Sequence, residues 1–128
     1  MSDSRRDKLA ARFREFLPTE SVIDQPTSLA AYECDGLSAY RQTPLLVLLP
    51  DSIEQVQQVM RLCNQLRVPV VSRGAGTSLS GGALPHEDGV VLSLAKMNRI
   101  LKVDSLSRLA VVEPGVRNLA ISDRKSVV

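Results

Sequence analysis

The sequence predicts an α+β chain: a small sheet containing a β-α-β unit, flanked by helices. Three observations predict it. The continuous apolar run "LLVLL" at 45–49, closed by Pro50, suits a strand covered on both faces. Ile53, Val56, Val59, Met60, Cys63 and Leu66 recur every three or four residues, which predicts a helix over 53–66 with one buried stripe. The β-rich "VPVVS" follows at 68–72, so strand, helix and strand come in succession, with the two strands expected to be parallel.

The elements follow in order. Leu9, Phe13, Phe16 and Leu17 share one face of a predicted helix over 5–17, with Ser4 as N-cap, Asp7 three residues on and Pro18 as the stop. Residues 18–44 contain Pro26, Gly36 and Pro44 and read as loop with a short helix near 27–33. Ser52 and Gln55 form a capping box for the helix over 53–66. "GVVLSL" at 89–94 reads as a third strand. "ILKVD" (100–104) and "RLAVVEP" (108–114) read as a hairpin, and "GVRNLAIS" (115–122) as a helix that stops almost at once.

Composition narrows the function classes. The chain has 128 residues and a formal charge of +2, enough for one domain. So small and scattered a positive charge does not point to a nucleic-acid or anionic-membrane partner, and 3% aromatics without Trp argue against a base-stacking platform. The N-terminus has no apolar signal core, so a cytoplasmic chain is expected, with Cys34 and Cys63 as free thiols. "PLLVLLP" is far too short to span a membrane. His86, the single histidine, builds no metal cluster and reads as an exposed loop residue. Cys63 and Cys34 read as structural, no partner group supports a base role for Glu113, and Arg5–Arg6 and Arg124–Lys125 read as solvated charge.

The chemistry concentrates in "VPVVSRGAGTSLSGGALP" at 68–85, where glycines stand at 74, 76, 81 and 82 directly after a strand. Glycine lets another group approach the main chain, and successive inward N–H groups make an anion-binding concavity. Thr77, Ser78 and Ser80 add donors, so the expected guest is a phosphate or diphosphate. It is not a P-loop, because Gly82 stands where Gly76 and Gly81 would require lysine. It is not a Gly-x-Gly-x-x-Gly fingerprint, because Leu79 takes the third glycine's place. A flexible Gly/Ser surface loop is the plain alternative.

The order Arg-Gly-x-Gly-Thr-Ser followed by Ser-Gly-Gly resembles the diphosphate loop of flavoenzymes of the vanillyl-alcohol oxidase / p-cresol methylhydroxylase (PCMH) type. "YECDGLSAYR" before it and "VVEPGVRNLAIS" after it are most similar to the glycolate oxidase and D-lactate dehydrogenase branch of that family. The resemblance covers about 30–122 and implies the first half of a PCMH-type FAD-binding domain, truncated. It implies three segments: 1–40 as helix and lead-in, 41–122 as an incomplete FAD-binding domain, and 123–128 as a tail.

The resemblance also implies a site. Arg73, Gly74, Ala75, Gly76, Thr77 and Ser78 would wrap the FAD diphosphate, and Gly81 and Gly82 would continue the turn beneath it. Pro50 would lie near the adenosine end, and Pro114, Gly115 and Val116 would form another edge of the cleft. Some members carry a flavin-linked histidine after the second loop glycine. Thr77 stands there in this chain, which implies non-covalent FAD. The implied function is oxidation of a small 2-hydroxy acid by hydride transfer to flavin, beside a second flavin-domain subunit and an iron–sulfur subunit that could bring the protein to the inner membrane face. The family's substrate domain and catalytic base have no counterpart among these residues, so the piece alone is expected to be inactive. A stand-alone phosphate- or nucleotide-binding module is the alternative.

Asp123–Val128 back-translate as GAT CGG AAG AGC GTC GTG, the start of a common sequencing adapter whose next triplet is a stop. They are expected to be non-native, and the isolated piece is expected to expose apolar edges and to be marginally stable.

Overall fold

The computed structural model describes residues 2–34, 36, 40–77 and 80–127. Two sheets are present. The larger has four strands: β1 (Val22–Ile23), β2 (Leu46–Leu48), β4 (Val90–Ser93) and β3 (Val70–Arg73), in that spatial order. β1 runs antiparallel to β2, and β2 and β3 both run parallel to β4. The two strands of the expected β-α-β unit are therefore parallel, but β4 is inserted between them. β5 (Ile100–Asp104) and β6 (Leu109–Val112) form a separate antiparallel hairpin with an irregularity at Ile100–Lys102.

Side-chain alternation explains why β2 and β4 are apolar throughout. Leu46 and Leu48, with Val90 and Leu92, face one core, while Val47 and Val91 face another. The first core is covered by helix α1 (Ser2–Phe13), through Leu9, Ala10 and Phe13, and by helix α3 (Ile53–Leu66), through Val59, Leu62 and Cys63. The second is covered by helix α2 (Pro26–Leu29) and the 3-10 turn Ala30–Tyr32, through Leu29 and Tyr32. Both faces of the central strands are thus closed, as the continuous apolar run at 45–49 suggests. Apolar exposure falls elsewhere, at Leu101, Leu109 and Val111 on the hairpin and at Leu119.

Helix α3 has the predicted bounds but not the whole predicted stripe. Ile53, Met60 and Leu66 are exposed and Leu62 is buried instead, because the contact surface is narrower than the apolar arc. Ser52 Oγ accepts the Gln55 N–H at 3.3 Å, as a capping box requires. Gln55 Oε1 reaches past Ser52 and accepts the Asp51 N–H at 2.9 Å. At the other end Arg67 is left-handed (φ 54°), and the N–H groups of Arg67 and Val68 donate to Asn64 and Cys63 as a Schellman motif.

Three further expectations change. Helix α1 begins at Ser2, so Ser4 lies inside it rather than capping it, and residues 14–16 are turn. Arg6 is not simply solvated: its Nε donates to the Leu45 carbonyl at 2.8 Å and ties α1 to the entry of β2. Helix α4 spans Asn118–Val127, starting later than expected and continuing past 122.

Candidate functional site

Parallel strands β3 and β4 deliver their carboxyl ends side by side, with the Leu94 N–H donating to the Arg73 carbonyl at 3.0 Å. The glycine loop leaves β3 at this point, and crevices beyond such strand ends are where α/β sheets bind ligands. A cleft of about 570 Å3 opens there. Gly74 and Ala75 of the glycine loop line it together with Pro114, Gly115 and Val116. The structure thus joins two motifs that lie forty residues apart in the sequence.

The Pro-Gly-Val wall is fixed by close main-chain approach. The Gly115 N–H donates to the Met97 carbonyl at 2.7 Å, and a Cβ on Gly115 would collide with the Leu94 carbonyl. Only glycine can bring the exit of β6 so close to the exit of β4. Beside it, Glu113 and Arg99 form a two-pronged ion pair: Arg99 Nε to Oε1 at 2.5 Å and Nη2 to Oε2 at 3.1 Å, with the Arg99 N–H also on Oε1 at 2.9 Å. These hydrogen bonds, chiefly from the Arg99 side chain, hold the Glu113 carboxyl below the usual carboxylate range. Glu113 therefore has a partner that the sequence reading did not give it, and its job is to clamp the base of the hairpin.

The glycine wall is supported from behind by Arg73. Its Nη1 donates to the Cys34 carbonyl at 2.7 Å, and its guanidinium lies over the Tyr32 ring, 5.1 Å from the centroid. Gly76 has φ +75°, and a Cβ there would strike that guanidinium. The N–H groups of Gly74, Ala75 and Gly76 donate to no acceptor among the described residues.

The remaining expected site residues are placed as follows. Thr77 is exposed at the loop, and Ser78 lies outside the described residues. Gly81 (φ +79°) and Gly82 form the next turn, closed by the Leu84 N–H on the Gly81 carbonyl at 3.1 Å; neither lines the cleft. Pro50 is buried after β2 and also lies outside the lining. Four lining residues were not anticipated: Ala95, Asn98, Arg117 and Ala120. For Arg117 and Ala120 a signal was available in "PGVRNLA", where a cationic residue follows a Pro-Gly turn; Ala95 and Asn98 lie just after β4 and carried none.

The other chemistry-bearing residues stand apart. His86 is exposed, with Nδ1 accepting the Asp88 N–H at 3.0 Å. Cys63 is in the core, and burial pushes its thiol up to about 11. Among the described residues no His, Cys, Asp and Glu group could hold a metal, and no helix is long and apolar enough to cross a membrane.

Loop residues whose N–H groups have no acceptor among the described residues share a cleft with the Pro-Gly edge, and no described lining residue is acidic. Successive main-chain N–H groups of this kind can hold an anionic group outside any helix N-terminus. The FAD binding domain family matches residues 44–124, and the chain belongs to it. Relatives agree. The chain is 51% identical over 122 residues to "Glycolate oxidase subunit GlcD" of Escherichia coli, covering 95% of this chain and 24% of that protein. It is 34% identical over 110 residues to the mitochondrial D-2-hydroxyglutarate dehydrogenase of Arabidopsis thaliana, covering 84% of this chain and 20% of that protein. Among solved structures, substrate-bound p-cresol methylhydroxylase superposes with a TM-score of 0.81 at 26% identity, over 94% of this chain and 24% of that one. Alkyldihydroxyacetonephosphate synthase, at 18% identity and a TM-score of 0.82, shares the fold over 94% of this chain and 25% of its own. The chain spans about a quarter of the length of these relatives. The expectation of a PCMH-type FAD-binding fragment is met in both sequence and fold.

Proposed function

We propose that this chain is the cofactor-holding portion of an FAD-dependent dehydrogenase or oxidase acting on a small 2-hydroxy acid, with glycolate and D-lactate as candidate substrates. One observation carries the reading: the glycine loop and the Pro-Gly-Val edge close on a single cleft at the carboxyl ends of β3 and β4. The half-identity to a glycolate oxidase subunit over nearly all of the chain supports the substrate class.

Each residue then has a task. Gly74, Ala75 and Gly76 offer main-chain N–H groups to the diphosphate, with Thr77 and Ser78 extending the same loop. Arg73 fixes the loop from behind, Gly81 and Gly82 carry the chain away, and Pro50 ends β2 on the adenosine side. Pro114, Gly115 and Val116 cover the cofactor's other edge. Thr77 has no ring nitrogen for a flavin bond, so this loop holds the cofactor without covalent attachment. When bound, FAD supplies the two-electron acceptor: the substrate's α-hydrogen leaves as hydride while a base takes the hydroxyl proton.

The described residues of this chain bind and orient. Glu113 is committed to Arg99 and His86 stands on an exposed loop, so neither serves as that base. We place residues 41–122 in the flavin domain, with a second flavin-domain subunit and an iron–sulfur subunit as partners of the whole cytoplasmic protein. The name of the Escherichia coli relative, a subunit, supports that assembly.

The test is anaerobic spectroscopy of the full-length protein from the source gene. Flavin absorbance that bleaches with glycolate or D-lactate is the expected outcome. Bound flavin that no 2-hydroxy acid bleaches would exclude the substrate class.

A further inference from the structure

FAD brings a diphosphate with about two negative charges at neutral pH, and main-chain N–H groups offer dipoles but no net charge. Among the described side chains, four basic ones lie on or next in sequence to the lining residues, and three are already committed. Arg73 is bound to the Cys34 carbonyl and to Tyr32 behind the loop. Lys96 Nζ donates to Ser21 Oγ at 2.8 Å. Arg99 is paired with Glu113 and reaches the Asp51 carbonyl at 3.4 Å. The fourth, Arg117, is exposed and lines the cleft. Its guanidinium makes no ion pair or hydrogen bond among the described residues. Among the described residues it is also the lone charged group of the lining, and none there is a carboxylate.

We propose that Arg117, assisted by the neighbouring amide of Asn98, is the side-chain cation that neutralises the FAD diphosphate, and that Arg73 instead maintains the shape of the loop. The assignment rests on the FAD reading above and adds a residue to it. A guanidinium offers two parallel N–H donors to phosphate oxygens, which a single main-chain N–H cannot match. No reorganisation of other ion pairs is needed to bring it into play, because it has none to break.

The two arginines predict different salt behaviour. An ion pair between Arg117 and the diphosphate in an open cleft is screened by salt. FAD affinity is measured by fluorescence titration at low and high ionic strength for the wild type, Arg117→Gln, Arg117→Lys and Arg73→Gln, with circular dichroism as a check of folding. Arg117→Gln is expected to weaken FAD binding about tenfold at low salt and to flatten the salt dependence. Arg117→Lys is expected to restore the salt dependence and part of the affinity. Arg73→Gln, through loss of loop order, is expected to weaken binding equally at both salt concentrations. Wild-type affinity and salt dependence in Arg117→Gln would overturn the proposal and leave the FAD reading standing. Absence of FAD binding in the folded wild type would overturn both.

Discussion

Glu113 illustrates how much a single residue's role depends on one partner. Read alone, it is a carboxylate before a proline; in the structure, Arg99 holds both its oxygens. The pairing follows from hairpin register. Ile100 pairs with Val112, so the residues just outside, Arg99 and Glu113, face each other at the mouth of the hairpin. The Arg99 hydrogen bonds lower the Glu113 pKa in the folded state. A lowered folded-state pKa means stability that is fully present above the unfolded value of about 4.3 and is lost as pH falls through the folded one. The Asp104 carboxyl is lowered in the same direction, by the Ser107 N–H that closes the hairpin turn. Acid unfolding of the wild type should therefore be steeper below about pH 4.3 than that of Glu113→Gln, which has no proton to bind there. Equal slopes in urea denaturation across pH 3–5 would contradict this role for the ion pair.

Helix α3 is the element whose ends are best defined, and each end makes its own prediction. Ser52→Ala removes the acceptor for the Gln55 N–H and should cost about 1 kcal/mol. Arg67→Gly relieves a non-glycine residue held at φ 54° while leaving both Schellman hydrogen bonds in place, and should stabilise by about 0.5 kcal/mol. Denaturant midpoints that move in opposite directions for the two variants would bear this out; a loss of stability in both would contradict it.

The same helix shows why some of the fold was legible in the sequence. The period of 53–66 and the cap at Ser52 are local signals, and the apolar runs at 45–49 and 89–94 encode burial on two faces. What escaped was non-local. β1 has only Val22 and Ile23, and it exists because β2 offers it an edge. The insertion of β4 between β2 and β3 depends on pairing across the sheet, which no window of sequence displays. At the site, the glycine loop and the Pro-Gly edge were each visible, but that Arg73 is held by Tyr32 and Cys34 while Arg117 lines the cleft depends on tertiary packing.

At the scale of the whole molecule, a well-covered central sheet carries a cleft on one end and an uncovered hairpin beside it. Leu101, Leu109 and Val111 are exposed on that hairpin, and Leu119 on helix α4 is 71% exposed. Apolar area left in water contributes nothing to folding, so the cofactor should add a noticeable share of this chain's stability by binding the folded state alone. The central claim is that this cleft is an FAD cradle. Gly74 offers the cleanest way to test it, because a Cβ there would meet nothing within 4 Å. Gly74→Asp therefore places a carboxylate at the cleft wall with room for its Cβ. The deciding measurement is an FAD fluorescence titration of the chain and of Gly74→Asp. Saturable binding by the chain, weakened at least about tenfold by the added charge, is the predicted result. Equal affinity in the two proteins, or no binding by the chain, would contradict it.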